Sequence, residues 1–380
     1  MAKRGNGEGS IYSVRGKDGK VKGYRAAYTV HTAQGMKRCY LSGKRREDVR
    51  DKLARALSDR AEGLVSDAGA LTVGEYLDRW LRDMKDTVRG STYERHEQLV
   101  RLHIRPALGR IKLKNLTAAH VRWLYRERLD SGLAPATIHK LHAVLHKALN
   151  HAVSDGLIPR NAAAGLALPR ISREEINPLS GEEARCFLDE VRGDRLEALY
   201  VLAISTGMRQ GELLALKWDD VDLERGLLRV RRTLTRQHSA FTFSNPKTKK
   251  SRRTIRLTEG ALQALRTHLS YQLVKMERMD SLYRPSSLVF ANEVGGIINP
   301  SNLRNRSFAR LLKRASLPPS TRFHDLRHTC ATLLLSGNVN PKIVSEMLGH
   351  SSISITLDTY SHVLPTMQES AIRTLEDVLN

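Results

Sequence analysis

Cysteine is scarce in this chain of 380 residues. Only Cys39, Cys186 and Cys330 occur, and their scatter fits neither a disulfide framework nor a zinc-knuckle spacing, so they read as reduced thiols. Long apolar runs are missing as well. None approaches the roughly 18–20 residues of a membrane span, and the opening MAKRGNGEGS lacks a signal peptide's apolar stretch, so a cytosolic location is expected. Acidic residues are the third shortage: 40 Asp and Glu stand against 63 Lys and Arg, a net charge of +23. That balance favours a polyanionic partner, nucleic acid ahead of an anionic membrane surface. With 41% hydrophobic and 27% charged residues, disorder and low-complexity classes are excluded. A length of 380 exceeds the roughly 250–300 residues that one core holds, which predicts two or three domains.

Residues 1–66 hold 16 basic and 7 acidic side chains and are the most basic segment per residue. Here Tyr24, Ala26, Tyr28 and Val30 alternate with Arg25, Ala27, Thr29 and His31, a strand pattern. After KRCYLSG, Val49, Leu53 and Leu57 recur at helical spacing, so the unit reads as a three-stranded sheet backed by one helix. A strand ribbon carrying Arg25, Lys37 and Arg38 on its free face suits a DNA major groove; a solvated basic sheet is the plainer alternative.

From residue 67 to 160 helix starts replace strand signals. Thr72 with Glu75 and Ser91 with Glu94 are expected capping boxes, and Gly132 and Gly156 sit where later helices should stop. Within ATIHKLHAVLHKALNHAVSDG, Leu141, Leu145, Leu149 and Ala152 share one face while His139, His142, His146 and Asn150 share another. A four-helix bundle is the economical reading, with Lys140, His142 and Lys147 as its DNA-facing candidates. No Asp, Glu or Cys joins the histidine stripe to make a metal site. Pro159, Pro169 and Pro178 mark a connector, taken as 161–179, and Ser180 with Glu183 opens a third domain at 180–380.

Four local signals lie in that domain: TGMRQGEL around Arg209, the basic turn PKTKKSRR containing Lys247, HDLRHT from His324, and LGHSS followed ten residues after His350 by Tyr360. Each has a plain reading; Arg209, for instance, can pair with Glu212 at i, i+3. The turn is placed between two strand-like runs, LLRVRRTLTR and RTIRLT. His324 and His328 are spaced like the histidines of a zinc-protease helix, but Asp325 stands where that motif needs glutamate, and Arg327 would repel a dication. Together the residue types point to phosphate chemistry. Two arginines can fork onto phosphate oxygens, a lysine can protonate a leaving alkoxide, histidines can move protons, and a tyrosine can attack. Paired carboxylates for two-metal catalysis and a Gly-rich phosphate loop are absent, so neither metal, ATP nor any other cofactor is called for.

These boxes, TGMRQGELLAL, PKTKKSRRT, HDLRHTCATLLL, LGHSS and the final TY, resemble in order the signature of the tyrosine recombinases, the phage-integrase family, over about residues 176–365. The resemblance implies a mainly helical α+β catalytic domain with a small antiparallel sheet and a C-terminal tail helix. It also implies that the four-helix segment binds core sites and that the sheet-plus-helix unit binds separate arm sites, as in phage and conjugative-element integrases. Carried over by position, Arg209 and Arg327 would clamp the scissile phosphate, Lys247 would protonate the leaving 5′ oxygen, with Lys249 and Lys250 as neighbours in the same turn, and His350 would hydrogen-bond the phosphate. His324 would accept the proton of Tyr360, and Tyr360 would form a 3′-phosphotyrosyl link. Implied partners are double-stranded DNA with core and arm sites, a homotetramer, a DNA-bending accessory protein and an excision factor, in the nucleoid of a bacterial cytoplasm. Competing expectations are a catalytically silent DNA-binding regulator and a topoisomerase-like relaxing enzyme.

Overall fold

A computed structural model describes residues 10–16, 19–32, 35–61, 70–172, 177–237, 240–245, 251–284 and 286–360, with Ile372, Leu375, Glu376, Asp377 and Leu379 of the tail. The chain divides into two compact units, Met1–Ser172 and Arg173–Asn380.

The first unit begins with an antiparallel meander, β1 (Ser10–Arg15), β2 (Val21–Thr32) and β3 (Gly35–Gly43), followed by α1 (Arg46–Ala61). The expected alternation places Ala26 and Tyr28 against Val49 and Leu53 of α1 in a small core. The helical part follows as α2 (Val73–Met84), α3 (Gly90–Leu99), a wide turn Val100–Ile104 leading into α4 (Arg105–Leu108), α5 (Ala118–Asp130) and α6 (Pro135–Ser154). Its core joins Leu77 and Trp80, Ile104, Leu124 and the expected Leu141, Leu145, Leu149 stripe. Thr72 and Glu75 form the capping box, each bonding the other's backbone N–H. Ser91 does not cap: α3 starts two residues earlier than that box implies, at Gly90, Arg89 takes the cap position, and its carbonyl accepts from Thr92 and Tyr93. The start of the Pro-rich connector packs here, because Asn161 donates to the His146 carbonyl and to Asn150 Oδ1 while Ala163 is buried in the helical core.

The second unit opens with α7 (Gly181–Glu190), capped by the Ser180–Glu183 box, then α8 (Glu197–Thr206) and the single turn α9 (Gln210–Leu213). Strands β4 (Val221–Asp222), β5 (Leu227–Val230) and β8 (Arg253–Arg256) make one antiparallel sheet; β6 (Thr233–Gln237) and β7 (Ala240–Ser244) make a separate hairpin. The run LLRVRRTLTR is therefore two strands in two sheets, and the β7 strand lies between it and the basic turn. The break falls at Arg231 and Arg232, whose side chains both reach the buried Asp220. Then come α10 (Glu259–Met279), α11 (Pro300–Asn302), a wide turn Leu303–Phe308, α12 (Ala309–Arg314), α13 (Asp325–Ser336), α14 (Pro341–Leu348) and α15 (Ile353–Tyr360). One large core centres on Phe187, Tyr200, Phe290 and Phe308. A smaller one locks α13, α14 and α15 together through Ala331, Leu335, Val344, Leu348 and Tyr360. The tail helix expected after Tyr360 lies largely outside the described residues. Among the described residues no helix is long and apolar enough to cross a membrane.

Candidate active site

The C-terminal end of α14 organises the site. A helix end presents carbonyls that lack intrahelical donors and carries a partial negative charge. Three arginines from three other segments answer it. Arg253 of β8 donates from Nε to the Met347 carbonyl at 2.6 Å, Arg327 of α13 donates from Nη1 to Leu348 at 2.9 Å, and Arg209 donates from Nη2 to Gly349 at 3.4 Å. Gly349 turns the chain with φ 71°, and a side chain there would press on Arg253. Gly207, at φ 60° after α8, gives its carbonyl to Arg327 Nη1 at 2.7 Å, and a Cβ at this turn would stand 2.4 Å from Leu348. The two glycines thus let the Arg209 and His350 boxes close around one guanidinium.

Three cations this close need counter-charge. Glu212, 3% exposed, supplies it: Oε1 accepts from Arg209 Nη1 at 2.8 Å and Oε2 from Arg253 Nη2 at 2.9 Å. Burial alone would raise the pKa of Glu212, but Arg253 and then Arg209 outweigh it and hold the carboxyl below its usual range. The plain i, i+3 pairing of Arg209 with Glu212 is present, and it fixes the position of the guanidinium beside Gly349. One carboxylate does not balance the set. Burial, Arg209 and Arg253 push Arg327 down to about 9, still protonated near neutrality, and its Nη2 is a buried donor without a partner among the described residues. An unanswered buried N–H between arginines is a donor that an anion would satisfy.

The remaining side chains border this place. His350 meets Thr356 Oγ1 through Nδ1 at 2.7 Å, which leaves Nε2 for a ligand; burial, Arg327 and Arg209 push His350 down to about 4, so the ring is neutral. Tyr360, the last residue of α15, is 1% exposed, and burial raises its phenol to about 12 although Arg327 pulls the other way. Its hydroxyl meets Nδ1 of His328 at 2.8 Å. His324 stands exposed where α13 begins, its ring 5.0 Å from that of His328, and the partial desolvation of its ring by the surrounding protein, then Arg327 and Arg209, lower its pKa. Asp325 is taken by Arg322, which bonds it through the backbone and the guanidinium. A basic cleft of about 570 Å³, lined by Arg252, Arg253, Arg256, Lys342 and His350, opens beside the site.

The structure therefore brings Arg209, Arg327, His350 and Tyr360 together with His324 at the edge. Lys247, Lys249 and Lys250 lie outside the described residues, between β7 and β8. Glu212 entered the sequence reading only as a pairing partner, while Arg253 and Thr356 were missed; His328 was weighed only as a zinc ligand. A signal for Thr356 existed, since it stands four residues before Tyr360 and so shares its helix face. In the first unit Arg25 and Arg38 are exposed and flank the ring of Tyr40 at 5.8 and 6.0 Å, whereas the side chain of Lys37 lies outside the described residues. Lys140 and Lys147 are exposed on α6. His142 is half-buried against Tyr125, its Nδ1 2.9 Å from the phenol oxygen, and His139 bonds the Pro169 carbonyl.

Residues 177–367 match the model described as the phage integrase family, and residues 72–128 match its N-terminal SAM-like domain. The chain is similar to the tyrosine recombinase XerC-like protein of Caldanaerobacter subterraneus, with 32% identity over 384 residues covering 95% of this chain and 97% of that one. In fold it is similar to the Tn1549 transposon integrase in complex with a circular intermediate DNA, at 23% identity and a TM-score of 0.69 over 80% of this chain and 100% of that one. A second likeness is to a lambda integrase tetramer bound to a Holliday junction, at 20% identity and a TM-score of 0.55 over 90% of this chain and 95% of that one. The chain belongs to the phage integrase family. It is a tyrosine-type site-specific recombinase acting on DNA.

Proposed function

We propose that this recombinase integrates a mobile element, and excises it, by cutting and rejoining DNA through a 3′-phosphotyrosyl bond on Tyr360. One observation carries the residue assignment: Arg209 and Arg327 bond successive carbonyls, so two guanidiniums lie side by side, and one keeps a free buried donor. A scissile phosphate supplies the missing negative charge, and fixed donors around it stabilise the charge that grows as the tyrosine oxygen adds. His350, neutral and held by Thr356, donates to a nonbridging oxygen, and His324 borders the phosphate from the mouth of the site. Lys247 is assigned to protonate the leaving 5′ oxygen. The phosphodiester energy is kept in the protein–DNA bond, so rejoining needs no nucleotide.

The sheet unit at 1–66 binds arm sites through Arg25, Lys37 and Arg38; the exposed Arg25–Tyr40–Arg38 cluster, a ring between two cations, supports a phosphate-and-groove surface. The helical unit at 67–160 binds core sites, with Lys140, His142 and Lys147 along α6. Assembly as a tetramer on two duplexes follows the lambda integrase tetramer, whose fold the chain shares. A DNA-bending protein and an excision factor join it in the bacterial cytoplasm. The test is a denaturing gel of the full chain with nicked core-site DNA. Tyr360→Phe should abolish the covalent adduct while leaving duplex binding intact, since it removes one oxygen and no charge. An adduct that survives in the Phe variant assigns the nucleophile elsewhere.

A further inference from the structure

The resemblance gave His324 the proton of Tyr360, but the hydrogen bond to Tyr360 belongs to the next histidine along α13. The phenol oxygen stands 2.8 Å from Nδ1 of His328, and the two ring centroids are 5.7 Å apart. We propose that His328 is a catalytic residue of this recombinase: it accepts the proton of Tyr360 as the phenol oxygen attacks phosphorus. The proposal rests on Tyr360 being the nucleophile.

The step balances as follows. With the ring proton on Nε2, Nδ1 offers a lone pair and takes the phenolic proton as the O–H bond breaks. The phenol oxygen bonds phosphorus, the bond from phosphorus to the 5′ oxygen breaks, and that oxygen takes the proton assigned above to Lys247. Rejoining runs the same transfers backwards, His328 returning its proton to the departing phenol. A proton acceptor must lie within hydrogen-bond reach of the proton it removes, about 2.6–3.2 Å between heavy atoms. Among the described contacts His328 meets that condition.

Its neighbours suit the role. His328 and Arg327 are successive residues of one helix, so a phosphate clamped by Arg327 arrives beside the ring that holds the nucleophile. Tyr360 also joins α15 to α13 and α14 in the small core with Ala331, Leu335, Val344 and Leu348, so the phenol and the Arg327 helix are held together. Burial pushes His328 down to about 4, helped by His324, Arg327 and Arg322 and opposed by Asp325. The free protein thus keeps the ring neutral, the form that accepts. When phosphate neutralises the arginines, their repulsion of an imidazolium weakens, Asp325 still favours it, and the ring becomes more basic as attack begins.

The experiment measures single-turnover adduct formation by the full chain on nicked core-site DNA, across pH, for wild type, His328→Asn, His324→Asn and Tyr360→Phe. Each histidine variant is also made with a fluorinated tyrosine of more acidic phenol at position 360. His328→Asn should slow the adduct by about 100-fold, the low end for lost general-base catalysis, with a rate that climbs toward alkaline pH. The fluorinated tyrosine should recover most of that loss, and none of the loss in His324→Asn. His328→Gln is carried in parallel, with melting and duplex binding checked, so that a folding defect in one variant does not decide the result. A His328→Asn rate equal to or above wild type, a slowed rate that the acidic phenol does not recover, or recovery confined to His324→Asn would each overturn the proposal. An adduct in Tyr360→Phe would instead overturn the choice of nucleophile, a separate result.

Discussion

Replacing Glu212 by Gln removes one charge from the centre of the arginine cluster and keeps the side chain's shape. Arg253, whose side chain is 6% exposed, would face a neutral amide inside the protein. Breaking a buried pair from one side costs about 3–5 kcal/mol, and the remaining bonds of Arg253 to Met347 and Ser251 place the loss near the low end, about 3 kcal/mol. The Arg209 contact, at 39% side-chain exposure, is screened by water and adds less than about 1 kcal/mol. For a domain of this size each kcal/mol moves the melting midpoint by roughly 2–4 °C, so a fall of roughly 6–12 °C is expected. Cleavage should fall by about 100-fold, because Arg209 loses its aim at the phosphate. The pH dependence has a definite sign. The folded carboxyl of Glu212 lies below its usual 4.5, so its stabilisation is full above that pH and disappears as pH falls through the folded value. Wild type and variant should therefore converge in acid. Calorimetry of the full chain, read on the transition of the catalytic unit, measures the first effect, and the nicked-duplex adduct assay the second. A variant that melts within about 1 °C of wild type and cleaves normally would refute the account of Glu212 as the counter-charge that aims Arg209.

Two further outcomes are expected. Thr356→Val should cost about 1 kcal/mol of stability and slow adduct formation by about tenfold, with Thr356→Ser restoring both, because the buried hydroxyl bonds Nδ1 of His350 and leaves Nε2 toward the phosphate; equal rates for Val and Thr in the adduct assay would remove Thr356 from the site. Arg25→Ala with Arg38→Ala should weaken arm-site binding, and lower the salt slope of its affinity by about 2, while core-site cleavage continues; footprints and salt slopes unchanged by the pair would dismiss that face of the sheet as a DNA contact.

Much of the site was legible because its parts are local. Arg209 sits between two glycines, His324 and Arg327 open one helix, and Tyr360 closes another, so each box carries its own pattern in the sequence. The sheet-plus-helix and helical units were legible for the same reason, their buried stripes following strand and helix periods. What escaped depends on separation. Arg253 acts on a helix end 94 residues away, and nothing in SRRT distinguishes it from the exposed Arg252. The strand run broken at Arg231 and Arg232, whose side chains reach the buried Asp220, escaped because the two halves pair with partners elsewhere in the chain, β8 and β7, in different sheets. His324 and His328 differ by one helical turn, and only the packing of α15 on α13 decides which ring meets the tyrosine.

The three arginines at the end of α14 bear on how an inactive form of this protein should be made to test the proposed tetramer on DNA. Arg327 does not merely wait for substrate: it ties the Gly207 turn to Leu348, and Arg253 and Arg209 fasten the flanking carbonyls. Truncating Arg327 would unfasten the helix that carries His350 along with the chemistry, so a loss of synapsis in that variant would confuse architecture with catalysis. Tyr360→Phe leaves every one of those fastenings in place and is the cleaner silent subunit for mixed assemblies.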